Sequence, residues 1–240
     1  MLLPSTSEQH VGMTVDPALG WTASQVRAAE RPLLEAGVPL MARAAAGLAE
    51  RCTLVLEARG RRTGRVLVLA GSGSNGGDAL HAAALLAARG SAVVVARLGR
   101  RVHAAGLSAA TRAGATVLPP DATAGAIAAE AAAADLVLDG ILGTGSRGGI
   151  RSPARQVVAR IAESIGRAAI VAVDLPSGVD ADDGRVTPPV LRAAETVTFG
   201  AVKAGLLQGE GPAVAGRVLV VDIGLRPQLA GNPVVVRGGR

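Results

Sequence analysis

Val66-Leu67-Val68-Leu69-Ala70, followed at once by Gly71-Ser72-Gly73-Ser74-Asn75-Gly76-Gly77-Asp78, decides how the rest of the chain is read. Five apolar residues without alternation describe a strand buried on both faces. The glycines behind it permit positive φ and close approach of a ligand, and the free N–H groups of the helix that follows favour an anion. Comparable apolar runs recur at residues 92–96, 136–138, 169–173 and 218–221, with a weaker one at 115–118 and a smaller strand at 196–199. Helical stretches separate them at 79–88, 103–113, 122–134 and 153–165, the last with Ser152 as N-cap and Pro153 at the first helical position. Strand and helix alternate, so the chain is expected to be an α/β domain with a mostly parallel central sheet.

Upstream of this pattern, residues 1–20 are polar and unpatterned and are read as a loose N-terminal arm, leaving a single domain over 21–240. Thr22 opens a capping box with Gln25, and Val26, Ala29, Leu33 and Leu34 have helical spacing up to Gly37. Pro32 is expected to kink or divide that helix. A second helix is expected from Pro39 to about Leu56, with Leu40, Met41, Ala44 and Leu48 on one face.

Composition agrees with one tightly packed domain. Of 240 residues 49% are hydrophobic but only 1% aromatic, so the core must be built from Ala, Val, Leu and Ile. Lone Cys52 excludes a disulfide framework and a multi-thiolate metal site, and is expected to be a small core residue. No basic region precedes an apolar one at the N-terminus, and no uncharged apolar stretch nears the roughly 20 residues of a membrane helix. A soluble, cytoplasmic protein is expected, with no membrane partner. The formal charge is +6, yet the single lysine is Lys203 and nearly all the basic residues are scattered arginines without aromatic stacking partners. That pattern reads as compositional bias, with no nucleic-acid partner.

In sheets of this kind ligands bind outside the carboxyl ends of the strands. After the first apolar run, Gly71, Gly73 and Gly76 form a GxGxxG, a weak pattern by itself; the second ends in Arg97, with Arg100 and Arg101 behind it, which keeps an NADP-linked oxidoreductase open as an alternative. The run at 136–138 leads to Asp139 and a second Gly-rich loop, Gly140 to Gly149, offering backbone donors, a hydroxyl and Arg147 to a phosphate. The run at 169–173 leads to Asp174-Leu175-Pro176-Ser177-Gly178. Asn75, Asp139 and Ser177 form an oxygen-rich set suited to a hard cation, whereas zinc is disfavoured by three widely separated histidines. His10 and His103 read as surface or packing residues. His81 lies nearer the crevice, but no partner for it is evident. A GxSxG elbow and a GxxxxGK[ST] loop are both missing, which removes serine hydrolases of that design and P-loop NTPases.

Four ordered blocks resemble the YjeF N-terminal-domain family, the NAD(P)H-hydrate epimerases. Gly71 to Asp78 resembles GxGNNGGDG, Asp135 to Gly145 resembles DxxxDxxxGTG, and Val173 to Gly178 resembles VDxPSG. Thr196 to Gly205 with Gly216 to Gly224 resembles TxTFGxxKxG and a GxVxVxDIG ending, and Gln25 to Ala46, with Glu30, fits the opening helices. The resemblance implies a three-layer α/β/α Rossmann-like fold, a homodimer, and interconversion of the R and S epimers of hydrated NADH or NADPH, so that a partner dehydratase can complete nicotinamide nucleotide repair. It implies that Asn75, Asp139 and Ser177 hold a potassium ion. It implies substrate contacts from Ser74, Asn75, Gly76, Gly77 and Asp78, from Gly143, Thr144, Gly145, Ser146, Arg147, Gly148 and Gly149, and from Asp174, the expected acid/base. Two positions depart from the family pattern: Ser74 replaces the first Asn of its pair, and Ala79 replaces the Gly after the aspartate. Bacterial members are often fused to a dehydratase domain for which this chain has no room, so it is read as a stand-alone epimerase or an excised domain. Some relatives use the fold for binding alone, a further alternative. Lys203, in the block resembling TxTFGxxK, suggests that a compact ammonium is wanted there.

Overall fold

The computed structural model describes residues 13–15, 19–145, 148–164 and 166–236. Ser146 and Arg147, and residues 1–12 and 16–18 of the expected arm, lie outside the described residues. The rest of that arm is not loose: Met13–Val15 (β1) and Leu19–Trp21 (β2) are strands, and β1 pairs antiparallel with Arg217–Val221 (β10). Three-residue strands carry too little alternation to be seen in sequence, and here the partner strand supplies the hydrogen bonds.

The apolar runs all form strands: Arg65–Ala70 (β3), Ala92–Arg97 (β4), Thr116–Val117 (β5), Leu136–Gly140 (β6), Ala169–Val173 (β7), Glu195–Phe199 (β8) and β10. They build an eight-stranded sheet in the order β1-β10-β8-β7-β6-β3-β4-β5, parallel throughout except for β1 at the edge. The chain runs from β3 out to β4 and β5 and then returns to the other side of β3 as β6. A topological switch point therefore falls between β3 and β6, where a crevice opens. In a small second sheet Val202–Lys203 (β9) and Val235–Val236 (β11) flank β2.

Alternate strand residues feed two separate cores, which makes the domain three-layered. Val66, Val68, Leu136, Leu138 and Val171 face Ala23–Glu35 (α1), Leu40–Glu57 (α2), Ser74–Ala88 (α3) and Ala104–Arg112 (α4). Leu67, Leu69, Val137 and Ile170 face Ala124–Ala133 (α5) and Ala154–Ser164 (α6). A third cluster around Leu175, Val202, Leu206 and Val214 carries the short helix Pro212–Ala215 (α7). Small residues bring the layers close in the absence of rings: a Cβ on Gly47 of α2 would stand 2.5 Å from a methyl of Val221 on β10. Cys52 is fully buried in the first core, as expected.

Three local expectations need correction. Helix α1 opens on the Thr22–Gln25 capping box but runs unbroken through Pro32. The carbonyl that Pro32 deprives of a donor belongs to Ala28, and both residues are exposed, so water can satisfy it. The Ser152–Pro153 peptide is cis and α6 begins at Ala154, which leaves Ser152 two residues short of the helix. Finally, α3 starts at Ser74 rather than Ala79, so more than half of the expected loop is helix.

Candidate functional site

The early start of α3 turns Ser74, Asn75, Gly76, Gly77 and Asp78 into its first turns. Gly73 at the N-cap has no side chain with which to accept from the leading N–H groups, so those donors and the helix dipole face the crevice. Gly71 is required by a close approach: a Cβ there would lie 1.9 Å from the carbonyl oxygen of Ile141. The loops after β3 and β6 touch through it, and the Gly71 N–H donates to the Gly140 carbonyl at 3.0 Å.

Asn75 binds these loops to the next strand end. It is 8% exposed, and its Nδ2 donates to the carbonyls of Leu142 (2.7 Å) and Val173. Gly143 lies flat against its amide, where a Cβ would be 2.7 Å from Cγ. Asp139, at the end of β6, is 1% exposed; its Oδ1 accepts from the Ser177 hydroxyl at 2.6 Å and its Oδ2 from the Ser177 N–H at 2.9 Å. Ser177 Oγ accepts in turn from the Leu142 N–H at 2.9 Å. The three expected cation ligands are thus gathered around Leu142, with Asp139 and Ser177 in direct contact. Burial raises the Asp139 pKa, opposed by the hydroxyl and N–H of Ser177 and the N–H of Ile141. No basic side chain bonds this carboxylate among the described residues.

Asp174 follows β7 and is built differently. It is the one non-glycine residue with positive φ (67°) among the described residues, a conformation that costs about 1–3 kcal/mol unless the surroundings hold it. They do: its N–H donates to the Val197 carbonyl at 2.8 Å, and its Oδ1 accepts from Thr198 Oγ1 at 2.9 Å and from Lys203 Nζ. Lys203 is 2% exposed, and its remaining N–H groups go to Thr198 Oγ1 and the Phe199 carbonyl, both at 3.1 Å. The one lysine of the chain is therefore the buried counter-ion of the expected acid/base.

Asp78, one turn into α3, is 7% exposed, and among the described residues nothing hydrogen-bonds its carboxyl group. Burial, and then the charge of Asp174, raise its pKa to about 8; Lys203 opposes and Glu30 adds to the rise. Glu30 on α1 is raised chiefly by its own burial, with Lys203 opposing. Residues from α1, α3, the β7 end and β9 therefore share one electrostatic environment. In the second Gly-rich loop, Gly143, Thr144, Gly145, Gly148 and Gly149 border the same edge, and Arg27 of α1 donates to the Thr144 carbonyl at 3.0 Å. Ser74 is exposed at the head of α3, and the methyl of Ala79 is accommodated by Gly140, where a Cβ would stand 2.6 Å from it. The Ala79 departure is thus matched by a glycine opposite.

Two parts of this arrangement were not foreseen. Glu30 entered only as a helix residue and Thr198 only as part of a block, and neither stands within sequence reach of Asp174. His81 does have a partner: its ring lies edge-on to that of His103, with centroids 5.3 Å apart. His103 caps α4 by accepting from the Gly106 N–H at 3.1 Å, and burial with His103 lowers the His81 pKa. Arg97 ends β4, opposite Ala70 at the mouth of the first Gly-rich loop.

Known proteins place the architecture. The family described as YjeF-related protein N-terminus matches residues 38–205. The NAD(P)H-hydrate epimerase of Clavibacter michiganensis subsp. michiganensis is 48% identical over 235 residues, covering 94% of this chain and 99% of that protein. The bifunctional NAD(P)H-hydrate repair enzyme Nnr of Mycobacterium tuberculosis is 42% identical over 85% of this chain but only 41% of its own length. A yeast protein of known crystal structure, YNL200c, superposes with a TM-score of 0.68 at 23% identity, covering 78% of this chain and 82% of that one, a likeness of fold. The family match spans more than half of the chain and the Clavibacter relative nearly all of it, so the chain belongs to the YjeF-related protein N-terminus family.

Proposed function

We propose that this chain is an NAD(P)H-hydrate epimerase, an isomerase acting on the R and S forms of hydrated NADH and NADPH in nicotinamide nucleotide repair. The observation that carries the reading is Asp174, a carboxylate held in a costly backbone conformation by Lys203 and Thr198 beside two Gly-rich loops. Strain of that kind persists where a group must be aimed. The N-terminus of α3 and the loop from Gly143 to Gly149 suit the pyrophosphate, and Asp174 then meets the hydrated ring. In the hydrate the C6 hydroxyl sits next to the ring nitrogen, whose lone pair stabilises the cation left when the hydroxyl departs. Asp174 supplies acid/base function to that exchange, and its carboxylate faces the positive ring while Lys203 holds it in place.

Asn75, Asp139 and Ser177 fit a potassium ion. The donors are hard oxygens, and Asp139 is a buried carboxylate with dipoles but, among the described residues, no cationic side chain bonded to it. A bound cation would supply the missing charge and fix the loops after β6 and β7. The same reading brings a dehydratase as functional partner, a cytoplasmic setting where the parent dinucleotides are found, and a homodimer, which sedimentation of the purified chain tests. No helix among the described residues is long and apolar enough to cross a membrane.

Chemically hydrated NADPH, with both epimers followed by chromatography, is the test. Accelerated interconversion is expected. Nucleotide binding without interconversion would make the chain a binding module, and loss of NADPH absorbance on adding a carbonyl substrate would make it an oxidoreductase.

A further inference from the structure

Epimerisation by departure and return of a hydroxyl moves two protons. The leaving oxygen must gain one to depart as water, and the returning water must lose one. A single carboxyl serves both steps only by carrying its proton from one face of the ring to the other.

The site holds a second carboxyl suited to the task. Asp174 is bonded through Oδ1 to Lys203 and Thr198, which leaves Oδ2 as the oxygen that can meet a proton. Asp78 is more than nine-tenths buried, shares the electrostatic environment of Asp174, Lys203 and Glu30, and has no hydrogen-bonding partner among the described residues. Neither of its oxygens is sealed from the crevice, since Gln228 is the described residue with a buried side-chain oxygen lacking a partner. A buried polar group left open in this way marks a place for water, an ion or a reacting ligand.

We propose that Asp78 is the second proton-transfer group of this site, giving its proton to the departing C6 hydroxyl while Asp174 takes one from the returning water. The proposal rests on the epimerase reading. The C6–O bond breaks with its electron pair going to oxygen, which takes the Asp78 proton and leaves as water, while the ring nitrogen lone pair closes to an iminium. A water oxygen then bonds to C6 from the other face, the nitrogen recovers its pair, and Asp174 removes the surplus proton. One proton has moved from Asp78 to Asp174, which arms the pair for the reverse direction, and exchange with solvent resets it. At neutral pH Asp78 is protonated, since burial and Asp174 raise its pKa to about 8. Opposite environments on paired groups divide acid from base. The charged groups that act on it are Asp174 after β7, Lys203 on β9 and Glu30 on α1, while His103 at the head of α4 and uncharged Met41 of α2 stand against the adjacent Gly77.

The full chain is assayed with chemically hydrated NADPH in oxygen-18 water, alongside Asp78→Asn and Asp78→Glu. In the unaltered protein, solvent oxygen should enter C6 once per epimerisation, and activity should fall as pH rises through about 8. Asp78→Asn should slow kcat by roughly 100-fold or more with hydrated-NADPH affinity kept, and Asp78→Glu should recover part of it. Retention of the original C6 oxygen, an effect on KM alone, or near-normal turnover by Asp78→Asn overturns the proposal. An unaltered protein that does not speed epimerisation overturns the epimerase reading as well, before any variant is made. Should Asp78→Asn fail to fold, the oxygen-18 result and the pH profile of the unaltered protein decide.

Discussion

Asp139 and Asp174 end neighbouring parallel strands, β6 and β7, and both are nearly inaccessible, at 1% and 5% exposed. Their surroundings differ. Asp174 has a covalently supplied cation, Lys203, from a strand later in the chain. Among the described residues Asp139 has only dipoles, from Ser177 and Ile141. A buried charge must be paired, coordinated or neutralised, and the two strand ends meet this requirement in different ways: one with a fixed ammonium, the other with a pocket of oxygens fit for an exchangeable ion. Asp78 takes the third course and holds a proton. Permanent pairing suits a group that must stay aimed at a reacting ring. On the proposed reading an exchangeable ion suits the Asp139 end, where its task would be to brace loops.

The largest effect should come from removing the fixed cation. Lys203→Met leaves Asp174 buried and unpaired, which should cost about 3–5 kcal/mol in urea unfolding and abolish epimerisation. Adding Asp174→Asn should return most of the lost stability but none of the activity. A single variant as stable as the unaltered protein would mean that Asp174 is compensated from elsewhere, and the contrast with Asp139 would collapse.

Next comes the exchangeable ion. Potassium at about 100 times its Kd should stabilise the native state by about 2.7 kcal/mol relative to choline, because it binds the folded chain alone. Asp139→Asn should erase that difference, seen as coincident melting curves in the two salts. A persistent difference would assign the cation effect to another place.

The effect of Asp78 on stability is confined to one side of the pH range. Its folded pKa lies above the roughly 3.9 of an unfolded Asp, so its favourable contribution is complete below about pH 4 and is lost as pH rises through about 8. Asp78→Asn should therefore match the unaltered protein near pH 4 and exceed it in Tm at pH 9. Equal melting at both pH values would show that Asp78 does not hold its proton in the fold.

Much of the fold was legible because a parallel sheet buried on both faces writes itself as unbroken apolar runs, and β3, β4, β6, β7 and β10 all appeared where those runs stand. The Gly-rich loops were legible for a related reason: Gly71 and Gly143 mark places where backbone meets backbone or amide, which composition records. Short strands such as β1 and β2 lacked enough residues for a period. The start of α3 was hidden because Ser, Asn and two glycines are weak helix formers, overruled by the contacts of Asn75 with the carbonyls of Leu142 and Val173.

By itself, then, the sequence determined the layers, the alternation of strand and helix, and the residue types that gather at one edge of the sheet, since each depends on local period and on apolar burial. It also marked Lys203 as unusual in a chain that otherwise writes its cations as Arg. Only the tertiary structure decided what that lysine does. The bond from Lys203 to Asp174 spans 29 residues, the electrostatic influence of Glu30 reaches the site from α1, and the Asp174 φ of 67° is held by strand ends that meet only when the sheet is assembled. Charges are compensated by proximity in space, and only folding creates that proximity.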